Sequence, residues 1–327
     1  MSAIAEETGK LHRYALLDAA RGLALVAMII FHFAYDLDTL GLAPVHIGTP
    51  GWRWFARIIA GSFLALSGVS LVIAHGQGIR WRAYLRRLAI LALSAAAVTL
   101  ATWYAMPQEF IFFGILHAIT VASVIGLAFL RAPWPLTFLC AIVVLVLPSL
   151  VSSPIFDSPP LLFIGLGTIY PRTMDFEPVF PWIAPFLFGM SWAQFRLSHF
   201  AKSAAAAWTP SAEPARLISW AGKHTLAIYL VHQPLMFGTL ALIAQAVGSD
   251  SQIPKEEDRP FLDACQASCV ARNNRDQIYC RGYCSCTADE LKGQGLWSAV
   301  LSDQFTPDQR ARLGEAMQLC AKARPQP

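Results

Sequence analysis

The sequence predicts an all-α protein: a polytopic bundle of about seven transmembrane helices, followed by a small helical domain stapled by disulfides. Three observations carry that expectation. Of the 327 residues, 55% are hydrophobic and only 14% charged, where a soluble domain carries about 25% charged residues. Apolar runs close to the ~20 residues that cross a bilayer as a helix recur through the first 250 positions. Six of the seven cysteines crowd beyond position 260.

The expected spans are 21–38, 54–75, 88–106, 110–130, 134–151, 179–196 and 225–246. Several contain one polar residue or a proline, which membrane helices tolerate where a neighbour covers the break. Lys10 and Arg13 ahead of the first span resemble the basic region of a secretory signal. No small-residue cleavage pattern follows, and six more spans do, so the segment reads as a span.

Orientation follows from Lys and Arg. The loop "HGQGIRWRAYLRR" carries Arg80, Arg82, Arg86 and Arg87 and is expected in the cytoplasm. Counting outward places Lys10, Arg13, Arg21, Arg131, Arg196, Lys202, Arg216 and Lys223 on that side as well. Only Arg53, Arg57 and Arg172 fall opposite, so the N-terminus is expected inside. His46, Glu109, Asp157, Asp175 and Glu177 are then extracytoplasmic. After seven spans the C-terminus lies outside, where an oxidising compartment such as the bacterial periplasm sustains disulfides.

Past Asp250 the hydropathy collapses. The organisation expected is a membrane domain over 1–248, a linker over 249–260 ("SDSQIPKEEDRP" at its heart) and a cysteine-rich domain over 261–327. Cys265 and Cys269 are four apart, as are Cys280 and Cys284, so each pair shares a helix face. With Asn273-Asn274 as a turn signal, two antiparallel helices favour nested bridges, Cys265 to Cys284 and Cys269 to Cys280, leaving Cys286 for Cys320. This is one of fifteen connectivities that six cysteines allow. Zinc is the competing reading, but the tail has no histidine and the compartment disfavours free thiolates. Thr287-x-x-Glu290 reads as a capping box, and Thr306-Pro307 as an N-cap with proline at the first helical position. A domain this small needs staples.

Residues 251–327 hold ten basic and ten acidic side chains, so the net charge of +4 resides in the membrane part. No basic stripe marks a folded domain, and nucleic acid is excluded as a partner. Membrane lipid is the expected surroundings.

Ionisable residues inside a bilayer are costly and mark function by default. His32 and Asp36 sit four apart on one face of the first span. His117 lies two turns into the fourth span, Arg57 near the outer end of the second, and Asp175 and Glu177 just before the sixth. His232, beside Gln233 and Pro234, suggests a broken helix. Each, taken singly, is also readable as a buried polar group satisfied by backbone. On the cytoplasmic side, Asp18, Arg21 and the arginines Arg80, Arg82, Arg86 and Arg87 are candidates for phosphate, which the planar guanidinium grips with two parallel hydrogen bonds. Setting topology and touching lipid headgroups is the competing role.

Leu17-Asp18-Ala19-Ala20-Arg21-Gly22-Leu23-Ala24, then His32-Phe33-x-Tyr35-Asp36-Leu37, Gly68, "FFGILHAI" and "GKHTLAIYLVHQP" together resemble the catalytic domain of the heparan-alpha-glucosaminide N-acetyltransferase family, in its short bacterial members. The resemblance covers roughly residues 13–240, and Asp-x-x-Arg-Gly is its most specific piece. It implies a polytopic acetyltransferase of the bacterial inner membrane that moves acetyl from cytoplasmic acetyl-CoA to an amino sugar across the membrane, and it suggests a homodimer. It also implies that His46, in the loop between the first two spans, is the active-site histidine. His32 stands where eukaryotic members have an asparagine.

The function expected is acetyl transfer from acetyl-CoA to an extracytoplasmic sugar or glycan amine or hydroxyl, without a metal. Asp18, Arg21 and the four clustered arginines would bind the donor. His46 or His32 would serve as general base or acetyl carrier, with Asp36 orienting the imidazole and His117 in the same chamber. Two other classes compete. A proton-coupled transporter would show internal repeats, and none is evident; a noncatalytic anchor presenting the cysteine-rich domain would tolerate replacement of these polar residues.

Overall fold

The computed structural model describes residues 15–43, 45, 47, 49–199, 208–247, 258–273, 277–302 and 304–323. In chain order the helices are α1 Ala15–Thr39, α2 Pro50–His75, α3 Trp81–Ala105, α4 Ile115–Phe129, α5 Trp134–Leu150, α6 Val179–His199, α7 Glu213–Lys223, α8 Thr225–Val247, α9 Arg259–Asn273, α10 Gln277–Gly293, α11 Trp297–Ser302 and α12 Pro307–Ala323. Among the described residues the only β pairing is an isolated parallel bridge between Phe113 and Phe176. The chain gathers into two compact units, residues 1–29 with 56–233 and residues 30–55 with 234–327.

Each expected span falls on a helix, and α1, α2, α3 and α8 are long and apolar enough to cross a membrane. The apolar helices α4 and α5 are shorter, at 15 and 17 residues. At 1.5 Å per residue they reach only about 22 and 25 Å against a hydrocarbon thickness of about 30 Å. In α6, Phe180 leaves helical geometry (φ −102°, ψ 127°) and Pro185 lies further in.

Two expected boundaries are corrected. The apolar run from 110 onward does not enter a helix until Ile115, because residues 109–114 run extended against 173–177. Glu109 and Phe113 carbonyls accept the N–H groups of Met174 and Glu177, each at 3.0 Å. The arginine-rich stretch read as a loop through Arg87 is helical from Trp81, so the third helix starts two turns early.

The first unit is held by close helix contacts. Leu64, Leu71, Phe186, Leu187 and Met190 are fully buried. A Cβ on Gly68 of α2 would stand 2.1 Å from the Phe186 carbonyl oxygen of α6, and one on Gly189 of α6 the same distance from the Ala65 oxygen of α2. Only residues without side chains permit that approach, the small-residue packing common between membrane helices. Gln194 of α6 donates to the Phe129 carbonyl (2.7 Å), one of the acceptors that the end of α4 leaves open, and Ser191 donates to the Trp134 carbonyl at the start of α5 (3.0 Å). On α1, Gly22 is needed because a Cβ there would meet the Ile218 carbonyl of α7 at 2.0 Å.

In the second unit, Leu40 packs with Leu240 and Ala244. The tail domain is built on α9 and α10, whose buried Leu262, Cys269, Cys280, Cys284 and Ala288 pack with Phe261 and Trp297. The bridges are Cys265–Cys284, Cys269–Cys280 and Cys286–Cys320, the nested arrangement that the spacing favours. Lys292 pairs with the buried Asp258, and its ammonium lies 4.8 Å from the Trp297 ring centre. Thr306 does open α12: its hydroxyl accepts the Gln309 N–H at 3.3 Å while Gln309 accepts the Thr306 N–H at 2.9 Å. Thr287 caps nothing. It is buried inside α10 and donates to the Tyr283 carbonyl one turn back (2.9 Å), the alternative open to a hydroxyl in mid-helix. Most of the expected linker, including its first residues, and Asn274 of the expected turn lie outside the described residues.

Candidate functional site

The first polar group of interest is built at the start of α1. Asp18 and Arg21 are three apart and so share a helix face; Arg21 Nη1 donates to Asp18 Oδ1 at 3.2 Å. The other arm of the fork, Nη2, donates to Ser70 Oγ of α2. Ser70 can accept because its own proton goes to the Leu66 carbonyl. Asp18 and Ser70 are both buried, so the guanidinium is locked in one orientation.

The four arginines after the second span do not act together. Once α3 starts at Trp81, the 3.6-residue period sends Arg87 to the side of Tyr84, Leu88 and Leu91, where with Leu71 and Ser123 it lines a small cleft. The charges of Arg87 and Arg21 act on each other there. Arg82 and Arg86, four apart, occupy a different, exposed face, and Arg80 is exposed ahead of the helix. The Arg80 N–H donates to Nδ1 of the buried His75 (3.3 Å), whose ring meets Tyr84 edge-on. Sequence reading passed over Ser70, His75 and Tyr84. The signal for them was there in the periodicity, since Tyr84 and Arg87 are three apart on one face of α3.

At the other end of the same unit, α4 opens beside the 173–177 segment. Asp175 Oδ2 accepts the Ile115 N–H at 3.0 Å, a carboxylate on a helix N-terminus. Gly114 is obligatory, because a Cβ there would lie 2.1 Å from that same oxygen. Thr173 Oγ1 donates to the Phe110 carbonyl at 2.8 Å. Arg57 of α2, Glu177 and Tyr229 of α8 complete the group: the Arg57 charge acts on Glu177, and both carboxyls act on the Tyr229 hydroxyl. Burial pushes the Asp175 carboxyl up to about 6 against the pull of the Ile115 N–H. Burial also drives Glu177 well above the usual carboxylate range, the neighbouring Asp175 adding to it and Arg57 opposing.

His117 sits on the first turn of α4 with both ring nitrogens engaged. Nδ1 accepts the Gly114 N–H at 3.2 Å, which requires the ring proton on Nε2. Nε2 is 3.2 Å from Thr99 Oγ1, and that hydroxyl spends its proton on the Ile111 carbonyl at 2.7 Å, so it must accept from the histidine. The tautomer is thus set by two neighbours, and the ring braces the start of α4 against α3.

In the second unit, Asp36 is fully buried and His32 half-buried on the same face of α1. The His32 ring meets Phe31 edge-on at 5.7 Å, and Phe31 in turn packs near Trp52 and Phe55. His46 lies outside the described residues; its neighbour Ile47 donates its N–H to Asp38 Oδ2 at 3.3 Å. His232 Nδ1 lies 2.7 Å from the Tyr229 carbonyl within α8, which continues as a helix through Pro234. Among the described residues, no group of three or more His, Cys, Asp or Glu is placed to hold a metal ion.

The family model described as "Heparan-alpha-glucosaminide N-acetyltransferase, catalytic" matches residues 13–234. No curated protein and no solved structure matches the chain. The match begins just ahead of the Asp18–Arg21 pair, ends just past His232, and spans every polar group described above except the tail. Apolar helices of membrane-crossing length and an N-acetyltransferase family together describe a membrane enzyme. The chain belongs to the heparan-alpha-glucosaminide N-acetyltransferase catalytic-domain family.

Proposed function

We propose that the protein transfers acetyl from acetyl-CoA at the cytoplasmic face of a bacterial inner membrane to a sugar or glycan amine or hydroxyl on the periplasmic side. The observation that carries this reading is the locked Arg21. A guanidinium held by Asp18 and Ser70, with the charge of a second guanidinium, Arg87, acting on it, is a prepared seat for a polyanion. Acetyl-CoA offers phosphates for such a seat. Arg80, Arg82 and Arg86, exposed at the start of α3, would add steering charge.

His32 lies eleven residues beyond Arg21 on one continuous helix, a rise of about 16 Å, which an extended pantetheine arm covers. His32 or His46 takes the proton of the acceptor or carries the acetyl group transiently, and Asp36 holds the His32 imidazole. In transfer the acceptor nitrogen or oxygen bonds to the acetyl carbon, the carbon–sulfur bond breaks, and the CoA thiolate leaves. His117 braces α4 in this scheme. The cysteine-rich domain is periplasmic.

The test is acetyl-CoA binding and turnover by the purified chain in nanodiscs, wild type beside Arg21→Ala, His32→Ala and His46→Ala. The expected result is saturable binding, weakened about tenfold or more by Arg21→Ala, as loss of a charged hydrogen bond predicts, with turnover abolished by one histidine change. A folded wild type that binds no acetyl-CoA sinks the proposal.

A further inference from the structure

The group of Asp175, Glu177, Arg57 and Tyr229 has an unusual charge balance. Asp175 and Glu177 act on each other and Arg57 acts on Glu177, so among these described residues the two carboxyls, when both are ionised, carry more charge than the one guanidinium offsets. His117, on the neighbouring α4, supplies none, because both its nitrogens are engaged as the neutral ring. Tyr229 contributes a neutral hydroxyl. Such a site is complete only when it holds either a proton or one more cation.

Glu177 is where that vacancy is concentrated. Its backbone is pinned to the Phe113 carbonyl at 3.0 Å, and the adjoining Asp175 is tied to the Ile115 N–H. Its side chain is therefore delivered by a braced segment, and yet Oε2 is closed off from solvent and accepts no hydrogen bond from the described residues. Leaving a buried carboxylate oxygen unsatisfied costs several kcal/mol in a low-dielectric setting, so proteins keep such groups where a ligand completes them.

We propose that Glu177, with Asp175 beside it, binds the ammonium group of an amino-sugar acceptor and takes the proton that the amine must lose before it can attack. The inference rests on the acetyltransferase reading for its chemistry. The acceptor arrives as R–NH3+ and places one N–H on Glu177 Oε2. The proton passes to the carboxylate, leaving R–NH2 and a neutral Glu177. The free amine pair then forms the C–N bond at the acetyl carbon, the C–S bond breaks, and the second amine proton passes by way of the histidine of the proposed function to the thiolate. Arg57 favours the ionised form of Glu177, the form that can receive the ammonium. Burial raises both carboxyls above the usual carboxylate range, which makes each a better proton acceptor.

Binding and turnover are measured separately, using D-glucosamine and D-glucose as probes. Ligand-observed NMR on the full chain in nanodiscs gives the binding arm, with no acetyl-CoA present. Wild type is expected to favour glucosamine over glucose by about tenfold or more, as one added charged hydrogen bond predicts, and Glu177→Gln to erase that preference. Glu177→Asp, which keeps the charge but withdraws it by one methylene, retains part of it. The turnover arm follows acetylation of glucosamine: Glu177→Gln raises its KM and moves the acidic limb of the pH profile, which a merely structural lesion would not do. Should Glu177→Gln fail to fold, Glu177→Asp must weaken glucosamine more than glucose. Equal binding of the two sugars by wild type, or a glucosamine preference intact in Glu177→Gln, overturns the proposal. Binding preference without acetylation leaves the cation site standing and counts against the acetyltransferase reading alone.

Discussion

His117 would be a natural suspect for the catalytic base, and its replacement separates that role from the bracing role that the geometry assigns. Changing His117 to Ala removes the acceptor of the Gly114 N–H and the donor to Thr99. Two neutral hydrogen bonds are worth about 1 kcal/mol each, and the Gly114 N–H, on a buried residue, is left without an acceptor at a further cost of about 1–3 kcal/mol. The expected loss is thus about 3–5 kcal/mol of stability. His117→Asn keeps a side-chain oxygen within reach of the Gly114 N–H and should recover part of that loss, although an amide cannot serve as a base. The assay is thermal unfolding in nanodiscs alongside kcat per folded molecule. Bracing predicts a lower unfolding temperature for both variants, Asn above Ala, with kcat for the folded fraction within a few-fold of wild type. A general base contributes about 10²–10⁴-fold. A loss of that size in His117→Asn, with unfolding unchanged, would refute the assignment.

Other outcomes follow from the same structure. Replacing Cys286 and Cys320 together by Ser opens a 34-residue loop, which the chain-entropy relation values at about 4 kcal/mol; amide exchange in α12 should accelerate while α9 and α10, still held by two bridges, stay protected. Gly189→Ala forces a methyl to within 2.1 Å of the Ala65 carbonyl, so α2 and α6 must part; yield of folded protein after detergent extraction should fall, whereas Gly314→Ala, with open space around it, should be silent. Because the Asp175 carboxyl is held at about 6, above its unfolded value near 4, the native state binds the extra proton, and this group's contribution to stability falls as pH rises from about 4 through about 6. Unfolding temperatures compared at about pH 5 and about pH 7 should show that decline in wild type and a smaller one in Asp175→Asn.

What was legible in the chain depended on how local its cause was. The seven apolar runs marked seven helices because a helix satisfies its own backbone, and in lipid nothing else open to a single segment does. The nested bridges of the tail were readable because spacing of four on two short helices leaves few ways to close them. The cap at Thr306 was readable for the same reason, its two hydrogen bonds lying within four residues. Thr287 misled because the same local pattern falls inside a continuous helix, where the hydroxyl turns back to the Tyr283 carbonyl. Residues 110–114 misled because an apolar run carries no sign of a pairing made some sixty residues later, with 173–177.

The sequence by itself determined that this is a helical membrane protein with an oxidised, stapled tail and the Asp-x-x-Arg-Gly opening of its family, since composition, helical spacing and cysteine count act over a few turns of chain. Tertiary structure alone decided which polar groups meet. Arg87 was separated from Arg82 and Arg86 by the start of α3 and turned toward Arg21; His117 was taken up by Gly114 and Thr99; Arg57, Asp175, Glu177 and Tyr229 came together from three distant segments. The physical reason is that a side chain's charge state and hydrogen bonds depend on neighbours within a few ångströms, and those neighbours are chosen by how helices pack, which no single stretch of chain encodes.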